Sequence, residues 1–362
     1  MNDVQELKRY VGSHAQGQRI KGYRELLDRI EADEGGGPGS WVGEWVRAGE
    51  ALERRGRHLD AARHYTMARF PFVDGPDRQD ALERGVRSID RWAAEREGVE
   101  LLTIEADGGT VRCWASGLSA ADPKPLLVIM GGIVTVKEQW APLLAGMRRL
   151  GVAGIVTEMP GTGENGLRYG PDSWRMLPAI LDAVAGRADV ADTYAIALSF
   201  SGHMALRCAT EDPRLRGVIT VGAPIGEFFT DTGWQRRLPR ITVDALAHMI
   251  GVPSGEVAGG LGEWALSAAR LAKLDVPVCY TASLRDEIIP PADVRLLRDN
   301  VRRLELVEHD DVHGCPAHQR ETQLWTVASL FRCRNVRSPA GGLIGLLLKA
   351  ERARGRLSRN RA

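Results

Sequence analysis

The chain lacks a cysteine framework. Its five cysteines (Cys113, Cys208, Cys279, Cys315 and Cys333) are odd in number and scattered, with no C-x-x-C pair. That pattern argues against a disulfide scaffold and a spaced zinc site, and it suits reduced thiols in a cytoplasm. Excess charge of either sign is missing too. Lys and Arg total 48 against 47 Asp and Glu, a net charge of +1, so no nucleic acid or other polyanionic partner is implied. Long apolar runs are also absent. The opening MNDVQELKRY is polar and charged, and reads as neither a signal peptide nor a membrane span. At 362 residues there is room for one large domain plus a smaller one.

Strand-like alternation does not appear in the first 97 residues. Apolar residues recur there at helical spacing, in Trp41, Val42, Trp45 and Val46 and again in Leu59, Ala61, Ala62, Tyr65 and Ala68. EADEGGGPGS (31–40) and FPFVDGPDR (70–78) interrupt them. The segment AGEALERRGRHLDAARHYTMARF reads as one tetratricopeptide-like helical pair, with small residues where the helices cross. A single pair cannot bury its own apolar face, so it should pack on the next domain. Residues 1–97 are therefore expected to form a helical accessory domain, either covering an active-site mouth or bracing the fold.

From Gly98 the period changes. Strands are expected at Leu101–Glu105, Val111–Ala115, Leu126–Met130, Ala153–Glu158, Thr193–Leu198, Val218–Val221, Val276–Thr281 and Leu304–Val307. The first two flank Gly108 and Gly109 and should form an antiparallel hairpin. Most of the others are separated by helical stretches, as right-handed βαβ crossovers require. The catalytic domain so defined spans 98–337. A cap is expected at about 223–274, with helices at ITVDALAHMIGV and GEWALSAARLAKL. The tail 338–362, AGGLIGLLLKAERARGRLSRNRA after its first two residues, is expected to be a docking helix running into a partly disordered basic end. Its apolar part is too short for stable membrane insertion, leaving membrane-surface or partner binding as the alternative.

Chemistry concentrates at Thr193–Leu206, TYAIALSFSGHMAL, where a strand turns sharply into a helix with Ser199 at the tip. Such a turn pushes the hydroxyl out at the carboxyl end of a sheet. Ala197 and Ser201 stand where G-x-S-x-G would place glycines, so a serine that merely caps a helix is the alternative. A serine nucleophile needs a base, and the base needs an orienting acid. After the seventh strand SLRDEIIPP offers Asp286, with Glu287 as competitor; after the eighth, EHDDVHG offers His313, with His309 as competitor. Eight strands in this order, the serine turn after the fifth, and the order Ser, Asp, His are the layout of the α/β-hydrolase fold. Oxyanion donors would be the N–H of Phe200 and that of Gly132 or Ile133 in the loop IMGGIVTVKE. Glu138 and Glu164 are possible substrate-positioning residues, with an ion pair or a turn brace as the plainer role. Cys315 has no elbow around it and is not expected to be a nucleophile.

With MGGIVTVKE, EMPGTGE, ALSFSG, SLRDEIIP and DDVHG in one order, the chain resembles the FrsA-like esterases. Within them it is similar to 2,6-dihydroxypseudooxynicotine hydrolase and the fungal polyketide-shortening hydrolases. The resemblance covers roughly residues 20–335 and includes the helical N-terminal domain. It implies hydrolysis of a ketone or β-diketone carbon–carbon bond, or of an ester, in a small natural-product or aromatic substrate, with no metal or organic cofactor. It carries the triad onto Ser199, Asp286 and His313. The departures at Ala197 and Ser201 leave the substrate class open. An acyltransferase or cyclase of polyketide assembly using the same triad, and a non-catalytic partner-binding protein, are the competing expectations. A homodimer is a family-level expectation.

Overall fold

A computed structural model describes residues 2–359. Five helices open the chain: α1 (Val4–Gly17), α2 (Tyr23–Asp28), α3 (Trp41–Glu53), α4 (His58–Arg69) and α5 (Pro76–Ala94). Their ends are written locally. Asp3 caps α1 by accepting the N–H groups of Gln5 and Glu6, and Ser40 caps α3 by accepting that of Gly43. The helices α3 and α4 cross at Gly49, where a β-carbon would lie 2.6 Å from the Tyr65 ring, so only a glycine allows this approach. Trp41, Trp45, Met67 and Phe70 form the core of this layer with Leu7, Val11 and Ala15 of α1.

Eight strands follow: β1 (Val99–Ala106), β2 (Gly109–Ser116), β3 (Pro125–Met130), β4 (Ala153–Thr157), β5 (Asp189–Ala197), β6 (Leu215–Val221), β7 (Val278–Ser283) and β8 (Leu304–His309). They form one sheet in the order β1-β2-β4-β3-β5-β6-β7-β8. The pairs β1–β2 and β2–β4 are antiparallel, and every later pair is parallel. β3 (PLLVIM) and β4 (AGIVT) are apolar without alternation because helices cover both faces. This is the α/β-hydrolase fold expected of the chain.

The helical layer is not a free-standing unit. Ile89, Trp92 and Ala93 of α5 share a core with Trp114 of β2 and Leu127 and Ile129 of β3, on the face that Trp325 and Leu348 also cover. The segment between β6 and β7 carries the helix Arg240–Ile250, whose Ile241 joins the core of the N-terminal helices. GEWALSAARLAKL is not the single helix expected. It breaks into short turns at Gly262–Trp264 and Ala268–Leu271, because the Leu266 N–H is drawn to the Ile225 carbonyl at 2.9 Å. Asp293 ties down the start of the same segment by accepting the N–H groups of Ile225, Gly226, Glu227 and Phe228. In the tail, where a docking helix running into a partly disordered basic end was expected, Pro339–Arg359 is helical, and Ile344 and Leu348 dock on the sheet-side core. The part of that expectation falling on 360–362 lies outside the described residues. Among the described residues no helix is long and apolar enough to cross a membrane.

Candidate active site

β5 ends at Ala197, and the helix Phe200–Ala209 begins three residues later. Ser199 sits between them at φ 57°, ψ −129°, a conformation that L-residues rarely hold and that costs about 1–3 kcal/mol unless its surroundings enforce it. They do so here from both neighbouring strands. The Leu198 N–H donates to Met130 O of β3 at 3.0 Å, and the Ser199 N–H donates to Val221 O of β6 at 2.9 Å. Ser201 takes one glycine position of the usual elbow without strain, because its hydroxyl donates to the carbonyls of Met130 and Leu198. The close crossing falls instead at Gly202, where a β-carbon would lie 2.8 Å from Ala223 Cβ and 2.9 Å from Ala197 O.

The loops after β7 and β8 bring Asp286 and His313 to that serine. Ser199 Oγ is 3.0 Å from His313 Nε2, and His313 Nδ1 is 3.0 Å from both carboxylate oxygens of Asp286. A carboxylate can only accept, so Nδ1 carries the proton and Nε2 is left to accept from the serine hydroxyl. Asp286 is itself held by the N–H groups of Ile288 and Ile289 at 2.9 and 2.8 Å. Burial works against a charged His313, but the Asp286 charge and hydrogen bond, helped by Glu287, outweigh it and raise its pKa above 6.5. Gly222 stands beside the ring at φ 60°, where a β-carbon would come within 2.9 Å of His313 Cε1.

The competitors take other work. Glu287 accepts the His313 backbone N–H at 3.0 Å and the Tyr10 hydroxyl at 3.2 Å, fixing the base from behind and tying α1 to the site. His309 stacks on His318 with centroids 4.5 Å apart, and it contacts neither Ser199 nor Asp286. Cys315 is buried, and burial pushes its thiol up to about 12, leaving it un-ionised. Gly132 lies against the serine, a β-carbon there falling 3.1 Å from Ser199 Cβ. Among the described residues no protein acceptor takes the N–H of Phe200, Gly132 or Ile133, so all three donors expected for an oxyanion are uncommitted.

Glu138 and Glu164, considered above for substrate positioning or for an ion pair or turn brace, are both paired with Lys137. Both belong to a buried cluster around Lys137, whose Nζ lies 2.8 Å from Glu138, 3.1 Å from Glu158 and 2.7 Å from Glu164. Glu164 spends its second oxygen on Arg112. Glu158 also accepts the backbone N–H groups of Lys137 and Glu164, locking the loop after β3 to the turn after β4. Burial pushes Glu158 up to about 7 against the pull of Lys137. The cluster therefore braces the loop that carries Gly132 and Ile133.

Sequence reasoning named no individual residue of the N-terminal helices at the site. His14 of α1 lies 5.3 Å from Phe70, centroid to centroid. It sits within electrostatic reach of both Arg69 and His313, and burial, aided by those two groups, lowers its pKa to about 4. Beside it a cavity of about 260 Å³ lies between the accessory helices, the helix Arg240–Ile250 and the loop after β3, lined in part by Arg69, Phe72, Ile133, Thr162 and His248. The ring of Phe72 stacks on His248 at 4.8 Å, closing one wall. The helical layer thus supplies Arg69, Phe72, Val73 and Gln79 to the lining of this cavity.

The sheet order and the strained serine turn after β5 define an α/β-hydrolase. The chain belongs to the FrsA-like esterase family, whose profile, described as "Esterase FrsA-like", matches residues 6–292. Its relatives include Esterase FrsA of Photobacterium profundum, 22% identical over 306 residues that make up 77% of this chain and 72% of the relative. Esterase FrsA of Vibrio cholerae is 23% identical over 323 residues, 82% of this chain and 76% of the relative. Among solved structures AbyA5 is 48% identical and superposes with a TM-score of 0.93 over 96% of this chain and 99% of that one. The 2,6-dihydroxy-pseudo-oxynicotine hydrolase, 19% identical with a TM-score of 0.68 over 87% and 94% of the two chains, shares the fold. The chain is an α/β-hydrolase enzyme of an esterase family.

Proposed function

We propose that this enzyme hydrolyses an ester, or a ketone carbon–carbon bond whose leaving carbon is stabilised as an enolate, in a small natural-product or aromatic substrate. The observation that carries this reading is the unbroken relay Ser199–His313–Asp286, with each link at 3.0 Å and the serine held at φ 57°. Ser199 Oγ attacks the carbonyl carbon and passes its proton to His313 Nε2, while Asp286 stabilises the imidazolium. The oxyanion takes the N–H of Phe200 and that of Ile133 or Gly132, each donor lowering the barrier by about 3 kcal/mol. Collapse breaks the bond to the leaving group, which takes the proton from His313. Water then attacks the acyl-serine, its proton passing to His313 and on to the departing serine oxygen, and a carboxylic acid is released.

An ester leaves as an alcohol and needs no further help. A carbon leaving group must be an enolate that His313 can protonate, so activity on a β-diketone would identify the second chemistry. The test is turnover of an aryl ester and of a β-diketone by the wild type and by Ser199→Ala. Loss of at least about 10³-fold in the variant supports the reading, and undiminished turnover overturns it. Release of the acid as an amide or ester when an amine or alcohol is added would assign acyl transfer in place of hydrolysis.

A further inference from the structure

Arg69 closes α4 and is 1% exposed, yet among the described residues no carboxylate lies within ion-pairing distance of it. Its guanidinium is aimed by two backbone carbonyls: Nη1 donates to Pro71 O at 2.9 Å, and Nη2 donates to Val134 O at 2.8 Å. Its Nε–H is buried with no acceptor. Burying a cation without a counter-ion is costly, and a buried donor without an acceptor adds to that cost. Glu158 and Glu138 act on Arg69 only through space, and Lys137 already holds both. Burial lowers the Arg69 pKa to about 10, so the side chain is still charged at neutral pH.

Arg69 lines the cavity described above, and so does Thr162 from the turn after β4. Thr162 is 4% exposed, and its Oγ1 also has no partner. The lining of a single cavity therefore includes a cation without a counter-ion, whose Nε–H has no acceptor, and a hydroxyl without a partner. The rest of the lining includes the apolar surfaces of Phe72, Val73 and Ile133. Ile133 on the lining follows Gly132, which lies against Ser199, so the cavity wall is one residue along the chain from the serine's neighbour. A carboxylate would supply the two acceptor oxygens and the negative charge that this wall is missing.

We propose that this cavity is a carboxylate-binding subsite, in which Arg69 and Thr162 hold an anionic group of the substrate while the scissile carbonyl lies at Ser199. The proposal rests on the hydrolytic reading given above and adds to it the charge of the substrate. Arg69 acts by orienting the substrate and takes no part in bond making.

Two probes of matched shape test it: 4-nitrophenyl hydrogen glutarate, which carries a free carboxylate, and its neutral methyl ester, 4-nitrophenyl methyl glutarate. The readout is the ratio of kcat/KM for the anionic probe over the neutral one. Arg69→Gln lowers this ratio by about thirtyfold, Arg69→Lys keeps most of it, and Thr162→Val lowers it by about fivefold, as expected for charged and neutral hydrogen bonds respectively. A purely structural Arg69 would lower both substrates together and leave the ratio where it was, which overturns the proposal. Binding of the anionic probe to the Ser199→Ala protein by calorimetry reads the subsite apart from the chemistry. Affinity that falls about thirtyfold when Arg69→Gln is added supports the subsite even where turnover fails, in which case only the nucleophile assignment is lost. Absent binding, or binding indifferent to Arg69, overturns it.

Discussion

Burial and Asp286 pull on His313 in opposite directions, and the carboxylate prevails, so the base stays protonated above its ordinary pKa. The base must be neutral to take the serine proton, so kcat/KM rises with pH through an acid limb centred above pH 6.5. Replacing Asp286 with alanine removes both the charge and the hydrogen bond. The limb should then move down and kcat should fall by roughly 10⁴-fold; a wild-type limb below pH 6.5 in a pH–rate profile contradicts this. The residues of the relay were legible in the sequence because the order Ser, Asp, His falls just after β5, β7 and β8. The division of labour between adjacent carboxylates was less visible. Asp286 and Glu287 are one residue apart, and only the turn after β7 decides that the first meets the imidazole and the second its backbone N–H. Arg69 was not legible at all, since a basic residue closing a helix is ordinary and its isolation from any carboxylate is a property of the assembled fold.

The loop after β3 is held as an element by the Lys137 cluster. Lys137 is fully buried, and the three carboxylates around it outweigh burial to raise its pKa. Lys137→Met would leave Glu138, Glu158 and Glu164 without their shared cation. The expected cost is about 3–5 kcal/mol of stability, measured by denaturant unfolding; a loss below about 1 kcal/mol would contradict a bracing role. Glu138 and Glu164 show what a motif alone conveys. Their place near the glycine loop and its neighbouring turn left substrate contact open beside an ion pair or a turn brace, and the fold turns both onto Lys137. Strands were easier to read than helices, because β3 and β4 are unbroken apolar runs. GEWALSAARLAKL has helical spacing, but a single long-range hydrogen bond to Ile225 outweighs the local preference.

For the whole molecule, the helical layer and the sheet share apolar surface too extensively to behave as two bodies. Trp92 and Ile89 cover Leu127 and Ile129, and Ile241 of the helix Arg240–Ile250 joins the core that α1 helps to form. The chain should therefore unfold in one cooperative transition, with tryptophan fluorescence and far-ultraviolet circular dichroism coinciding. Two separated transitions would contradict this packing. The change of period at Gly98 falls between α5 and β1, but the extent of contact between the helices and the sheet could not be read from either side alone. Apolar residues on α5 look like those of any amphipathic helix until the sheet face they cover is known. The same packing ties α1 to Glu287 through Tyr10 and brings His14 within electrostatic reach of His313.

The central claim is that Ser199 is an activated nucleophile, and the most direct measurement is the intact mass of the protein after treatment with a fluorophosphonate, compared with Ser199→Ala. The account predicts a single adduct on the wild type and none on the variant. An adduct that persists in Ser199→Ala, or a folded wild type that turns over an ester yet takes no label, would contradict it.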